Sequence, residues 1–172
     1  AAEVLAESGV QKLTFRYQNG RDYDAVCYYT DDYFAASPYE YNQSFATMTL
    51  SLSMSAFASG DESRYANKSA NARNLLKKIG VKDADIAVNQ GFTIRPETDT
   101  IGAVAGSKPL NVNGVESTLV ILAMRGTGYG REWASNFTLG ETGQHNGFDT
   151  AKNNVLAYLK TYLEKQKITG AV

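Results

Sequence analysis

The sequence predicts a single domain of the α/β class, and three stretches carry that prediction. Lys12 to Tyr17 alternates Leu13, Phe15 and Tyr17 with Lys12, Thr14 and Arg16, the period of a half-buried strand. Thr118 to Met124 is seven residues without a charge, which reads as a strand apolar on both faces. Around Asp149 to Gln166, the residues Phe148, Ala151, Val155, Leu159, Tyr162 and Leu163 form one helical stripe, with lysines on the other side. A length of 172 residues suits one domain, 1–172, and supplies a core without a metal or disulfide staple.

The elements follow in order. Asn19-Gly20 is a strong hairpin signal, and Tyr23 to Tyr29 resumes an aromatic and β-branched run, so an N-terminal β-hairpin is expected. Ser37-Pro38-Tyr39-Glu40 has the layout of a capping box with proline at the first helical position. The next segment is locally ambiguous. Met48, Leu50, Leu52 and Met54 alternate with Thr49, Ser51, Ser53 and Ser55 as in a strand, yet Phe45, Ala46, Ala56 and Ala58 are helical in character and Asn42 is placed to cap. Arg64 to Ile79 is clearer: Ala72, Leu75, Leu76 and Ile79 share a face, Lys77 and Lys78 close the last turn, and Gly80 stands at the C′ position. Ile101 to Val104 is a short apolar run, and Asn111-Val112-Asn113-Gly114 is another turn signal. Thr118 to Met124 is expected in the middle of a sheet covered on both sides, and it stops abruptly at Arg125-Gly126-Thr127.

Composition removes several classes of function. Apolar residues make up 43% and charged residues 20%, the balance of a globular chain. Seventeen basic against eighteen acidic residues leave a charge of −1, so neither nucleic acid nor an anionic membrane is expected as main partner. One cysteine, Cys27, rules out an internal disulfide framework and a Cys-cluster zinc site, and one histidine, His145, rules out a His-rich metal site. No apolar run approaches the roughly 20 residues of a membrane span. Eleven tyrosines, many Asn and Thr, and a start at Ala1-Ala2-Glu3 that fits a cleaved signal lean towards a secreted or cell-surface bacterial protein.

Chemistry concentrates between Leu119 and Phe148. A buried strand running into Arg125-Gly126-Thr127-Gly128 places a turn and a hydroxyl at its C-terminal end, where open α/β sheets bind ligands. Glycines at 126 and 128 let backbone N–H groups point outward, as a developing oxyanion requires. On spacing alone, a tight surface turn through Gly126, Gly128 and Gly130 is the simpler reading. A dinucleotide fingerprint fails because Arg131 stands where its third glycine belongs, and no Gly-Lys-Ser/Thr exists for a Walker loop. Trp133 reads either as core filler or, beside this turn, as a substrate contact. His145 reads as a cap for the helix that follows more readily than as a base. Cys27 reads as a small buried hydrophobe. Asp31-Asp32, Asp61-Glu62, Asp83 and Asp85 read as solvated loop carboxylates without calcium-loop spacing.

Taken in order, these pieces resemble the N-terminal half of a class 3, fungal-type lipase-like α/β-hydrolase. Leu119 to Thr127 resembles that family's strand ending in Arg-Gly-Ser/Thr. Trp133 stands six residues past Thr127, as the family's lid tryptophan does. His145-Asn146-Gly147-Phe148 before a long helix resembles its His-x-Gly-Phe segment, and Tyr41 to Met48 resembles the opening helix of secreted bacterial members, which tips 42–59 towards helix. The resemblance implies a partial α/β-hydrolase-like sheet, with the N-terminal hairpin and three main helices around it. It implies a role for Thr127 in the oxyanion hole, turn support from Arg125 and Gly126, and a substrate or lid surface at Trp133 and Gly128. It implies an ester or lipid substrate and no cofactor or metal. The family's nucleophile lies on a Gly-x-Ser-x-Gly elbow, and residues 1–172 contain none. The expectation is therefore a fragment, inactive alone, whose partner is the missing C-terminal half of the same protein. The alternative is a secreted, non-catalytic binding or interaction module.

Overall fold

The N-terminal alternation folds as the hairpin it predicts. In the computed structural model, which describes residues 11–18, 22–56, 69–89, 101–125 and 145–170, β1 (Gln11–Gln18) pairs antiparallel with β2 (Asp22–Tyr29), from Gln11↔Tyr29 to Gln18↔Asp22. Thr30 ends β2; its hydroxyl accepts from Asp32 N–H and opens a single 3-10 turn, Asp31–Phe34.

The capping box at Ser37 to Glu40 does not start a helix, which corrects the sequence reading. Glu40 N–H donates to Ser37 O at 3.1 Å and Tyr39 N–H to Ser37 Oγ at 3.3 Å, closing one isolated turn. Tyr39 is 97% exposed, so this turn has no apolar face to bury, and a lone helical nucleus is not propagated. The helix α1 (Gln43–Ser55) begins after it, capped by Asn42, whose Oδ1 accepts from Phe45 N–H at 2.9 Å. Its buried residues are Met48, Ser51, Leu52 and Ser55, spaced i, i+3, i+4, i+7, while Leu50 is exposed. The period is helical, and serines occupy half of the core positions. Ser51 Oγ donates back to Thr47 O and Ser55 Oγ to Leu52 O, so neither hydroxyl is buried unsatisfied.

Helix α2 (Ala70–Lys78) buries Ala72, Leu75 and Leu76, the face the sequence marks. It closes as expected at Gly80, which sits at φ +98. Gly80 N–H donates to Lys77 O and Val81 N–H to Leu76 O, the paired bonds of a Schellman motif.

A three-stranded antiparallel sheet follows, in the order β3 (Ile86–Val88), β4 (Ala103–Val112), β5 (Val115–Met124). Asn113 (φ 51) and Gly114 (φ 82) join β4 to β5, both left-handed as a type I′ turn demands, with Val112 opposite Val115. Pro109 is tolerated within β4 for a positional reason. It lies opposite Thr118, and β3 pairs no further along β4 than Gly106, so its missing N–H interrupts no β3–β4 bond. Among the described residues β5 pairs only with β4, which departs from the central position expected for it. The pattern of exposure agrees: Val115 to Thr118 are exposed, Ile121 and Ala123 are buried, and Met124 is 45% exposed.

Helix α3 (Asn146–Lys165) starts three residues before the predicted boundary, because His145 caps it. Gly147, Val155 and Tyr162 are buried in it, whereas Phe148, counted in the apolar stripe, is 62% exposed. The described elements are thus mixed α and β. One cluster of buried side chains runs through β2, α1, α2 and the β3–β5 sheet, including Tyr29, Leu52, Leu75, Leu76, Val104 and Ile121.

Close packing between α2 and β4 passes over Gly106. A Cβ there would lie 3.1 Å from Val81 Cγ1 and 3.2 Å from Leu76 Cδ1, and both neighbours are fully buried. Gly106→Ala is therefore expected to destabilise the fold by about 1 kcal/mol through overpacking, despite the usual gain from replacing a glycine. Urea denaturation checks this; an unchanged or raised midpoint would show that α2 can move aside.

Candidate functional site

The site the sequence points to lies at the C-terminal end of β5. Pairing with the β4 side of the hairpin persists one residue beyond the strand, where Arg125 N–H donates to Gly102 O at 2.8 Å. The Arg125 side chain is 2% exposed and is the largest among the fully buried side chains described. A guanidinium keeps its charge in any protein environment, so the end of β5 holds a permanent cation away from water. Such a charge acts strongly at short range, because little solvent screens it. Gly126, Thr127, Gly128 and Trp133 lie outside the described residues, so of the predicted site Arg125 alone is placed.

His145 takes the capping role. Its Nδ1 accepts from Phe148 N–H at 3.4 Å, and its ring lies 4.4 Å from the Phe148 ring at a tilt of 31°. An accepting Nδ1 puts the imidazole proton on Nε2. Cys27 is 1% exposed, as expected of a small hydrophobe, and burial pushes its thiol up from the ordinary value despite a hydrogen bond with Ser51. Asp83 is a surface carboxylate held below its usual range by Arg73, at 3.0 Å, and then by Lys77.

Asp31 departs from the solvated carboxylate predicted. Lys108 from β4 reaches it at 2.7 Å, and the Tyr29 hydroxyl donates to the same Oδ1. Lys108 Nζ also donates to Ile79 O at 3.0 Å and stands 4.8 Å from the centre of the Tyr29 ring. Burial pushes the Asp31 carboxyl up, but the Lys108 ammonium and the Tyr29 hydroxyl outweigh it and hold the group below its ordinary value. The Tyr29 phenol moves the other way, raised by burial and then by the adjacent carboxylate. This knot joins the turn after β2, the end of α2 and the middle of β4. Sequence reasoning missed it because its members lie at positions 29–31, 79 and 108, with no local pattern among them.

A second polar connection holds α3 on the sheet. Tyr158 Oη accepts from Ala105 N–H at 3.1 Å and donates to Ala87 O at 2.8 Å, at the point where Ala87 faces Ala105. Burial pushes this phenol up to about 12. One turn later Tyr162 donates to Asp85 O at 2.7 Å, and its oxygen is 2.8 Å from Ser107 Oγ. A phenol has one proton and a carbonyl only accepts, so Ser107 donates to Tyr162. Beyond the end of α3, an open groove of about 790 Å³ is lined by Asp85, Ser107, Glu116, Thr118, Lys167 and Thr169 among others. It opens over the hairpin half of the sheet, whereas Arg125 is five residues past Val120, the last residue of β5 lining it.

Among the described residues, no group of three or more His, Cys, Asp or Glu could hold a metal ion, and no helix is long and apolar enough to cross a membrane. Compared with protein-family models, with curated proteins and with solved structures, the chain gives no match.

Proposed function

We propose that this chain supplies the oxyanion-bearing segment of a secreted, lipase-like carboxylic-ester hydrolase. The observation that carries the reading is the burial of Arg125 at the end of β5, immediately before Gly126, Thr127 and Gly128 in the sequence. A helix that opens at His145-Asn146-Gly147-Phe148 supports it further. In this reading the sheet is part of an α/β-hydrolase sheet, and the outer edge of β5 takes the next strand.

The roles follow from the chemistry of acyl transfer. A serine outside residues 1–172 attacks the ester carbonyl, and the tetrahedral intermediate gathers negative charge on the former carbonyl oxygen. Thr127 meets that oxygen with its N–H and hydroxyl, already oriented, so little reorganisation is needed as the charge forms. Gly126 and Gly128 let the backbone turn towards it, Arg125 anchors the turn, and Trp133 covers the acyl group.

Hydrolysis of nitrophenyl esters of short and long acyl chains, by the full reading-frame product and by residues 1–172, tests the proposal. The full protein is expected to turn over and to be labelled by a fluorophosphonate on a serine outside this segment. Residues 1–172 alone are expected to do neither, since they hold no Gly-x-Ser-x-Gly. Inhibitor-sensitive turnover by 1–172 would overturn the division of labour, and an inactive, unlabelled full protein would leave a non-catalytic binding module in its place.

A further inference from the structure

The chain contains three Asn-Gly pairs, at 19–20, 113–114 and 146–147, and the structure describes the last two in opposite settings. Asn146-Gly147 is the first turn of α3, where helical backbone holds the following nitrogen away from the side-chain amide and Gly147 is buried. Asn113-Gly114 is the exposed tip of the β4–β5 hairpin. Asn113 has a left-handed φ of 51, and nothing lies within 4 Å of where a Gly114 Cβ would stand. In a type I′ turn the left-handed Asn113 sets the Gly114 nitrogen roughly anti to its own Cβ, so attack on the side-chain carbonyl carbon waits for this exposed tip to leave the turn, a local opening that moves no buried residue.

We propose that Asn113 is a site of spontaneous deamidation and that Asn111 sets its rate by holding the attacking nitrogen. Gly114 N–H donates to Asn111 Oδ1 at 3.0 Å, and Asn111 is itself fixed by donating from Nδ2 to Glu116 Oε1 at 2.6 Å. In the reaction the Gly114 nitrogen bonds to Cγ of Asn113, the Cγ–Nδ2 bond breaks, and ammonia leaves with the proton lost from Gly114. Water then opens the resulting succinimide at either carbonyl, giving aspartate or isoaspartate at position 113. No oxidant, reductant or enzyme is required. The Gly114–Asn111 bond must break before the nitrogen can attack, so it acts as a brake. The hairpin tip thereby gains a negative charge close to Glu116. In the isoaspartate product it also gains a backbone methylene, in a turn that places Val112 opposite Val115.

Peptide mapping after incubation of the folded chain at mildly alkaline pH, with fragmentation that distinguishes isoaspartate, tests this. Deamidation is expected at 113 well ahead of 146, and the preference should shrink in denaturant, where both pairs are free. Asn111→Ala is expected to raise the rate at 113 about two- to tenfold, the worth of one ordinary hydrogen bond. Asn113→Gln should abolish the product there. Equal rates at 113 and 146 in the folded chain would overturn the proposal, and they need no variant to be measured. An unchanged rate in a folded Asn111→Ala chain would overturn the brake.

Discussion

Under the ester-hydrolase function proposed above, Thr127→Val in the full-length protein is expected to lower kcat by about 10²–10³-fold, with KM little changed, the loss produced by removing one oxyanion-hole donor. Valine keeps the shape of threonine and the backbone N–H at 127, so the substitution removes only the hydroxyl. Charge on the oxyanion exists in the transition state and barely in the bound ester, so the penalty falls on turnover rather than on binding. Thr127→Ser keeps the donor and is expected to retain most of the activity. Steady-state kinetics on one soluble ester separates the outcomes. An unchanged kcat removes Thr127 from the mechanism, while a raised KM at constant kcat assigns it to ground-state binding.

Asp31→Ala is expected to cost about 2 kcal/mol of stability, a fall in melting temperature of about 4–8 °C for a chain of this size. Lys108 is only 11% exposed at its side chain, and without Asp31 its ammonium keeps Ile79 O and the Tyr29 ring but, among the described residues, no counter-charge. The cost lies below that of a wholly buried pair because Asp31 is 45% exposed and water partly replaces it. Lys108→Met is expected to cost less, since it removes the buried charge and leaves the carboxylate on the wet side. The pair also carries a pH signature. Asp31 has a lowered pKa in the fold, so its contribution is complete above the unfolded value of about 3.9 and is lost as pH falls through the lower folded value. Wild type and Asp31→Asn should therefore differ most at neutral pH and converge in acid. A constant difference down to strongly acidic pH would place the stabilisation elsewhere.

The parts of the fold legible in the sequence are those decided by local chemistry. Asn113-Gly114 demands two left-handed residues, Gly80 demands one, and both are where the sequence put them. The N-terminal hairpin and α3 were legible because their periodicity is sustained over many residues. Helix α1 was equivocal for a physical reason: Ser51 and Ser55 occupy core positions and look polar until their hydroxyls bond back to the helix. Ser37 failed as a helix start because capping chemistry without a buried face yields only a turn. Of the site, the burial of Arg125 could not be read from a residue type that is usually exposed. The knot of Tyr29, Asp31 and Lys108 joins residues far apart in the chain, which no window of periodicity can reveal.

The two phenols of α3 have a further consequence for how the molecule opens. Strand β3 is only three residues long, and Tyr158 bridges it to β4 while Tyr162 bonds to the residue just before it. The amide proton of Ala105 is therefore guarded by a helix side chain, and its exchange with solvent reports undocking of α3. Helix and strand form one cooperative unit, in which release of the helix frees the sheet edge and fraying of that edge loosens the helix.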